Sequence, residues 1–327
     1  MRFGIILSNR GVVLGLDTVP DLLAQAEAAE ACPFIDSVWV GDDLFVNRRV
    51  DSLTLLAAIA ARTRRVLLGP ACMGSFALRE PRVFAYEWAS LDLISGGRTR
   101  LVVCSGGGAN SDWAAEEAIM GIDPKTRRRR MVEYMEVLRH LWTRDNEPFQ
   151  GQYIRFSGAV LEPKPVQSPC PIWLGTNGVH LADGSEAGAS EIAINRAARH
   201  ADGWMTVAVG PEGFQRSWHR LHALAREYGR DPSGFGNVLY HHGHVATDRD
   251  MAIEEARRFL EPYFGPERTR ARLASWNAFG TARDCIDQFR RYRDAGCERV
   301  AMRLCTVGDP REQLRRFAED VFPYVND

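Results

Sequence analysis

Eight short apolar runs, separated by longer segments with helical periodicity, constrain the fold of this chain more than any other feature of its sequence. Several of the runs are almost wholly apolar, which is typical of strands that are covered on both faces. Strands that alternate with helices indicate parallel βα units, and a count of eight favours a closed (β/α)8 TIM barrel over an open doubly wound sheet. The predicted strands span residues 2–8, 35–40, 66–72, 99–104, 171–174, 203–207, 237–246 and 298–305.

The segments between these runs carry sequence signals for helix starts. Thr18 and Thr281 each stand three residues before an aspartate, which is the spacing of a capping box. Asp51 and Asp309 precede helical patterns, and Pro81 stands at the first position of another. We therefore expect helices to begin at or just after these residues.

The length of 327 residues fits one barrel, because α/β barrels of about 250 residues or more fold as single domains. We expect a single domain over residues 1–327. Two stretches, residues 105–126 and 146–169, exceed what a minimal barrel needs, and the second resembles a small hairpin with a proline-rich connector. Both are candidate lid elements at the mouth of the barrel.

The charge balance argues against two classes of partner. Lys and Arg number 41 and Asp and Glu number 42, so the net charge is −1, and no basic field exists to hold nucleic acid or an anionic membrane. The apolar run at the N-terminus is too short for a signal peptide, and no window is long enough to span a membrane. The seven cysteines form no CxxC pair. We therefore expect reduced thiols and a cytoplasmic location.

Four consecutive arginines occupy positions 127–130 at a predicted helix start. We expect them on a solvated face of the helix, with Glu133 and Glu136 as their ion-pair partners. A role in binding phosphate or another anion is the alternative.

The candidate site lies at the carboxyl ends of the strands, where barrels of this type carry their chemistry. Asp42 and Asp43 follow the second predicted strand, and adjacent residues on a strand point to opposite sides, so they do not form a catalytic carboxylate pair. Two glycine-rich turns, residues 104–108 and 175–178, would let the backbone approach a ligand closely. The second turn could bind a phosphate if a helix began nearby.

His241, His242 and His244 form the densest histidine group of the chain. A metal site would need further ligands from elsewhere in the fold, so a proton-handling histidine and an ordinary barrel histidine stay open as well. The chain has neither a Gly-x-Ser-x-Gly elbow nor an HExxH motif, which weakens a hydrolase interpretation. Lys125 and Lys164 lie in predicted loops, which argues against Schiff-base chemistry at a strand end.

Characteristic segments occur along nearly the whole chain, among them MRFGIIL, IDSVWVGDD, LDLISGGR and EPKPVQSPCPIWLG. Through these segments the sequence resembles the luciferase-like family of flavin-dependent oxidoreductases. It implies a (β/α)8 barrel that binds reduced FMN, or in one branch the deazaflavin coenzyme F420, at the carboxyl-end mouth.

The resemblance also implies where the cofactor lies. In relatives the isoalloxazine rests against a non-prolyl cis peptide after the third strand, which here would join Ala71 and Cys72. Asp42 matches an aspartate of the family pattern, and Cys104 falls where bacterial luciferase carries a cysteine beside the reactive flavin edge. The implied phosphate end of the cofactor lies near Ser105, Gly106, Gly175, Thr176, Asn177 and Gly178.

The chain departs from the family pattern at Asp43, where many relatives have a histidine that acts as an acid or base near the flavin. Either Asp43 takes that role with a raised pKa, or a histidine of the seventh predicted strand, with His242 as the candidate, supplies it. The candidate catalytic residues are therefore Asp43, Cys104 and His242.

The resemblance implies an oxidoreductase that acts on a small organic substrate. The preferred version is a monooxygenase in which reduced FMN, supplied by a separate flavin reductase, acts through a flavin C4a-(hydro)peroxide. The alternative is an F420-dependent hydride-transfer enzyme. A third version is a flavin-binding protein without turnover, which the loss of the family histidine motivates. We expect a homodimer, because relatives commonly form dimers, and no metal.

Overall fold

Eight parallel strands close into a ring in the computed structural model of the chain, which describes residues 1–106, 111–180, 186–274 and 277–327. The strands in these ranges are β1 (Arg2–Leu7), β2 (Ile35–Asp42), β3 (Leu67–Met73), β4 (Leu101–Val103), β5 (Phe149–Gln150), β6 (Arg155–Phe156), β7 (Ile172–His180), β8 (Glu186–Ala189), β9 (Gly203–Val207), β10 (Gly236–Val245), β11 (Asn277–Gly280) and β12 (Arg299–Leu304). The ring runs β1–β2–β3–β4–β7–β9–β10–β12 and closes where β12 pairs with β1. The predicted barrel and its eight strands are confirmed.

Helices surround the ring. The described ranges contain α1 (Gly11–Leu14), α2 (Val19–Ala31), α3 (Ser52–Arg62), α4 (Pro81–Ser95), α5 (Ser111–Ile119), α6 (Arg127–Thr143), α7 (Glu191–His200), α8 (Pro211–Glu227), α9 (Arg249–Phe264), α10 (Pro266–Ala274), α11 (Ala282–Asp294), α12 (Pro310–Asp320) and α13 (Phe322–Val325). Short 3-10 helices span Phe76–Leu78, Pro124–Thr126 and Pro232–Gly234. Within the same ranges, no helix combines the length and the apolar character that crossing a membrane requires.

The predicted helix starts are confirmed. The side chains of Thr18, Asp51, Thr281 and Asp309 each accept a hydrogen bond from a backbone N–H in the first turn of the helix that follows. Pro81 is the first residue of α4. These caps satisfy N–H groups that have no partner within the helix, so they fix where each helix begins.

Side chains fill the interior of the ring, so the barrel has a packed floor. The interior cluster consists of Ile6, Trp39, Val102, Trp173, Met205, Val238 and Ala301. Ala71, Cys72 and Tyr240 rest on this cluster. A larger apolar layer lies between the strands and the surrounding helices. The floor and this layer hold the strand ends in fixed positions, which is what a site at the mouth requires.

The structure differs from the prediction in the strand after the proline-rich connector. β7 continues past residue 174, because residues 174–177 pair with β9 and residues 178–180 pair with β8. The turn predicted at 175–178 is therefore wrong, and these residues belong to the strand. The sequence patterns also miss β8 and β11, which are four-residue strands that add to β7 and β10 outside the ring.

The two excursions from the barrel contain short elements of their own. β5 and β6 pair antiparallel, which confirms the hairpin expected within residues 146–169. The stretch 105–126 contains α5 and a 3-10 turn. Gly107 and Gly108 of the predicted glycine-rich turn lie outside the described residues.

The expectation that the four arginines lie on a solvated face of the helix is wrong for Arg127, the first of them. The side chain of Arg127 is 3% exposed and forms an ion pair with Glu117 at 2.8 Å. Its Nη2 donates to the carbonyl of Gly74 at 2.6 Å. Glu133 is not an arginine partner either, because its carboxylate accepts hydrogen bonds from the backbone N–H groups of residues 152–154. The first residue of α6, Arg127, therefore points toward the interior of the protein. Glu133 holds the β5–β6 hairpin against the same helix.

Replacing Glu133 with glutamine is expected to lower the free energy of unfolding by about 2 kcal/mol, because the amide has one acceptor oxygen and turns an NH2 group toward a backbone donor. The carboxylate now accepts from Gln152, Tyr153 and Ile154 at 2.7–2.8 Å. Urea denaturation measures the change. Glu136→Gln is the matched control, since that side chain is 53% exposed, and we expect it to stay within about 0.5 kcal/mol of the wild type. Equal stability of Glu133→Gln and the wild type would contradict this role.

Candidate active site

A cavity of about 500 Å³ opens at the carboxyl ends of the barrel strands. Its volume lies within the range of about 300 to about 1,000 Å³ that small-molecule and cofactor sites occupy. Of the twelve site residues predicted from the sequence, eleven line this cavity: Asp42, Asp43, Ala71, Cys72, Cys104, Ser105, Gly106, Gly175, Thr176, Asn177 and Gly178. His242 is not among the lining residues. The strand ends therefore bring the predicted residues together, while their individual roles stay predictions.

Asp42 and Asp43 point in different directions, as expected for neighbours at a strand end. The carboxylate of Asp42 accepts hydrogen bonds from the Ser52 hydroxyl at 2.7 Å and the Ser75 backbone N–H at 2.8 Å. This leaves mainly the backbone of Asp42 for contact with a bound molecule. The carboxylate of Asp43 is held instead by Arg49, with 2.5 Å between Nη2 and Oδ2.

Asp43 has the electrostatic environment of a group that exchanges protons. Burial raises the pKa of Asp43 to about 6, Arg49 opposes the rise, and the charges of Asp42 and Glu116 add to it. A carboxyl that titrates near neutrality can hold or release a proton at working pH. Asp43 therefore has the raised pKa that taking the place of the family histidine would require, and that role stays a prediction.

Two thiols meet at the wall of the cavity. The peptide bond between Ala71 and Cys72 is cis, as the resemblance implies. A Cβ atom on Gly175 would lie 3.0 Å from the Cys72 sulfur and 3.3 Å from the Cys104 Cβ, so the three residues are in close contact. The hydrogen bond with Cys104, together with burial, raises the pKa of Cys72 well above its ordinary value. Cys72 is therefore a neutral thiol.

The cavity glycines are required by neighbouring protein groups. Gly106 has a φ of +68°, and a Cβ atom there would overlap the guanidinium of Arg127. A Cβ atom on Gly175 would press on the Cys72 thiol, and one on Gly178 would overlap the carbonyl of Ala208. Close approach of a ligand is the reason expected from the sequence for these glycines, whereas protein packing alone accounts for them.

The three histidines of β10 have separate surroundings. His241 packs on α11, outside the ring, and His242 lies beside Tyr240. The ring of His244 hydrogen-bonds the carbonyl of Cys305 at 2.9 Å. Burial lowers the pKa of His241 to about 3 and that of His242 well below its usual range, so both are neutral at pH 7. Within the part of the chain that the structure describes, no group of three or more His, Cys, Asp or Glu residues is arranged to hold a metal.

One part of the cavity wall contains a helix N-terminus and two arginines, which are groups that can bind a phosphate. Ser190 is the N-cap residue of α7, and it lines the cavity together with Arg196 of the same helix and Arg128 of α6. The helix N-terminus expected near residues 175–178 is thus supplied by α7. Burial, and then the charge of Arg128, lower the pKa of Arg196, so the two guanidinium groups act on one another. This donor set fits the phosphate that both FMN and F420 carry, and for Arg128 it favours the anion alternative.

Replacing Arg128 with glutamine is expected to weaken binding of F420 or FMN about tenfold, because a charge-assisted contact to phosphate is lost. Binding of the corresponding chromophores without phosphate should stay unchanged. Arg129→Gln, in the same helical turn but away from the cavity wall, is the matched control. Fluorescence titration at low salt measures the affinities of the wild type and of both variants for each cofactor and for each phosphate-free chromophore. An equal loss for the phosphorylated and phosphate-free chromophores would contradict the phosphate contact.

Several lining residues carry no motif that would have marked them in the sequence. They are Arg49, Trp113, Arg196, Tyr240, Tyr263, Phe264 and Arg272. Most of them come from helices whose inward faces depend on tertiary packing. Arg303 differs, because it stands near the end of a predicted strand, and that position alone was a usable signal.

The chain belongs to the luciferase-like monooxygenase family, whose model matches residues 1–322. It is 33% identical to the F420-dependent glucose-6-phosphate dehydrogenase of Amycolatopsis mediterranei over 50% of this chain and 49% of that protein. The chain therefore spans about half the length of this relative.

Two solved structures share the fold over nearly the full length. A monooxygenase from Streptomyces bottropensis matches with a TM-score of 0.82 at 23% identity, covering 99% of both chains. An F420-dependent secondary alcohol dehydrogenase in complex with an F420–acetone adduct matches with a TM-score of 0.80 at 22% identity, covering 100% of this chain and 99% of that one. At these identities the likeness concerns the fold. Family membership makes the chain an oxidoreductase.

Proposed function

We propose that the chain is an F420-dependent oxidoreductase that transfers hydride between the coenzyme and a small organic substrate. The observation that carries the proposal is Asp43, a carboxyl on the cavity wall with a pKa of about 6. Interconversion of an alcohol and a carbonyl moves one proton with each hydride, so it needs a group that titrates near neutrality.

The cavity offers F420 a place that agrees with its chemistry. Ser105, Gly106 and residues 175–178 line one part of the wall, and Arg128 and Arg196 offer donors to a phosphate. When bound, F420 supplies two-electron hydride chemistry and does not activate oxygen. The F420 dependence named for the Amycolatopsis relative and for the secondary alcohol dehydrogenase supports this choice of cofactor.

Asp43 handles the proton in this proposal. During alcohol oxidation the carbon–hydrogen bond of the substrate breaks and the hydride leaves with its electron pair, while the hydroxyl proton passes to the ionised Asp43 carboxylate. Arg49, at 2.5 Å, orients that carboxylate and favours its charged form. In the reverse direction the protonated Asp43 returns the proton to the carbonyl oxygen.

A monooxygenase that uses reduced FMN is the second candidate. Arg128 and Arg196 suit the FMN phosphate as well as that of F420, and one of the similar solved structures is a monooxygenase. This version requires a separate flavin reductase as partner, whereas the F420 version does not. The two versions also differ in whether oxygen is consumed.

Titration of the purified chain with F420 and with FMN tests the choice of cofactor. We expect F420 to bind at least about tenfold more tightly than FMN. An FMN affinity that exceeds the F420 affinity by the same factor would favour the second candidate, and binding of neither would contradict both. Turnover of any substrate with either cofactor would exclude the third version, a flavin-binding protein without catalysis.

A further inference from the structure

One section of the cavity wall is built around a buried arginine that the proposed chemistry does not use. Arg303 of β12 is 2% exposed and lines the cavity. Its Nε donates to the Tyr240 hydroxyl at 2.9 Å, and its Nη1 donates to the hydroxyls of Ser8 at 2.8 Å and Tyr263 at 3.2 Å. β1, β10 and β12 adjoin in the ring and lie across it from β3, β4 and β7, which carry or precede all of the predicted cofactor residues except Asp42 of β2. We call this section the Arg303 wall: Tyr240, Tyr263, Arg272 and Arg303 line the cavity, and Ser8 accepts a hydrogen bond from Arg303.

The charge of Arg303 has no carboxylate partner within ion-pair distance among the described residues. Every acceptor of its hydrogen bonds is neutral, since these are the three hydroxyls and, at 3.5 Å, the carbonyl of Leu7. Burial raises the pKa of Asp17 and the charge of Arg303 opposes that rise, but the two groups form no ion pair. An arginine keeps its charge in a protein, and a buried charge without a counterion is costly. The rings of Tyr263 and Tyr240, whose centres lie 4.7 and 5.8 Å from the guanidinium carbon, offset part of that cost. A ligand with a negative charge would supply the missing counterion.

The hydrogen bonds of the Arg303 wall leave donors available. Because the hydroxyls of Ser8, Tyr240 and Tyr263 accept from Arg303, their own protons point elsewhere, and none of them donates to an acceptor in the described ranges. The Nη2 of Arg303 likewise donates to no acceptor there. The wall therefore offers several donors and a positive charge to the cavity.

A second cation lies at the same wall. Arg272 lines the cavity with its guanidinium carbon 3.9 Å from the centre of the Phe264 ring. Burial, followed by the charges of Arg272 and Arg303, lowers the pKa of His242, which keeps that neighbour neutral. The wall thus combines two permanent positive charges with uncharged hydrogen-bond donors.

We propose that the Arg303 wall binds the carboxylate of an organic-acid substrate, such as a hydroxy acid or an oxo acid. The inference rests on the proposed function, because it places the substrate in the same cavity as the cofactor. A guanidinium and the hydroxyl groups beside it match the two oxygens of a carboxylate, and a single negative charge compensates Arg303. Arg303 is a specificity-determining residue in this account, and Asp43, which follows β2, handles the proton.

Calorimetric titration of the full chain with matched probes tests the inference. Benzoate is compared with benzamide and hexanoate with hexanamide, so that each pair differs in charge and little in shape. We expect at least one carboxylate to bind about tenfold or more tightly than its amide. Arg303→Gln is expected to abolish that preference, and Arg303→Lys to retain part of it. Arg283→Gln removes the same charge from a side chain that is 91% exposed and should leave the preference intact.

Thermal unfolding separates recognition from a structural role. Arg303→Gln removes a buried charge that has no ion-pair partner among the described residues, but it also removes the hydrogen bonds to the hydroxyls of Ser8, Tyr240 and Tyr263. These two effects oppose each other, so we expect only a small change in Tm, whereas a large fall in Tm would indicate a structural role and overturn the inference. A preference for carboxylates that survives in Arg303→Gln, or the absence of any preference in the wild type, would overturn the inference. Inorganic phosphate bound more tightly than both carboxylates through Arg303 would also overturn it. F420 titration of the same wild-type protein tests the proposed function separately.

Discussion

Replacing Asp43 with asparagine is expected to lower kcat by about 100-fold to about 10,000-fold, because asparagine keeps the shape of the side chain but cannot take the substrate proton. F420 affinity should change little. Alcohol oxidation requires the ionised carboxylate, so wild-type kcat rises with pH through the Asp43 pKa of about 6 and levels off above it. The variant should lack that rise. Steady-state kinetics from about pH 5 to about pH 8 measure both effects.

Two further variants make the Asp43 experiment specific. His242 lies away from the cavity lining and burial keeps its pKa well below the ordinary value, so His242→Gln should preserve both kcat and the pH profile. Asp43→His introduces the residue of the family pattern and should restore part of the activity, with a rise near about pH 6.5. If Asp43→Asn kept the pH profile of the wild type while His242→Gln lost it, His242 of β10 would be the residue that transfers the proton, which would contradict the role of Asp43.

Replacing Arg127 with methionine is expected to lower the free energy of unfolding by about 3–5 kcal/mol, because it leaves Glu117 buried without its counterion. Both side chains are at most 6% exposed, with 2.8 Å between the charged groups. The change also removes the hydrogen bond to the carbonyl of Gly74. Since this arginine ties α5 and α6 to the end of β3, we expect cofactor affinity to fall as well. Urea denaturation measures the stability change.

The double variant Glu117→Leu, Arg127→Met identifies the physical cause. It removes both charges, so it should recover most of the stability lost in the single variant, apart from the unsatisfied carbonyl of Gly74. Arg129→Met alters an exposed arginine two residues further along and should stay within about 0.5 kcal/mol of the wild type. Wild-type stability of Arg127→Met would show that the ion pair contributes nothing.

The barrel could be predicted because its signals are local. Apolar runs and helix caps such as those at Thr18 and Thr281 depend on residues close together in the chain. The place of the site follows from the fold, because parallel strand ends converge at one mouth. Asp43 could be singled out from its mismatch with the family pattern, and its pKa of about 6 agrees with the raised value that the mismatch suggested.

The remaining features depend on contacts between distant parts of the chain. β7 extends beyond residue 174 because β8 and β9 supply partners that no local pattern announces. Arg127 turns inward because Glu117 receives it, although the run of four arginines reads as a solvated face. Arg128 and Arg196 come close to one another at the cavity only when α6 and α7 pack. The contacts of Arg303 with hydroxyl groups likewise depend on the packing of several elements.

Anaerobic turnover tests the central claim most directly. The purified chain is mixed under nitrogen with oxidised F420 and a panel of secondary alcohols and hydroxy acids, and the absorbance of F420 is followed. In parallel, an oxygen electrode records uptake with reduced FMN and the same compounds. We predict substrate-dependent reduction of F420 that is lost in Asp43→Asn, with no substrate-dependent oxygen uptake. Oxygen uptake that yields an oxygenated product, without any reduction of F420, would contradict the account.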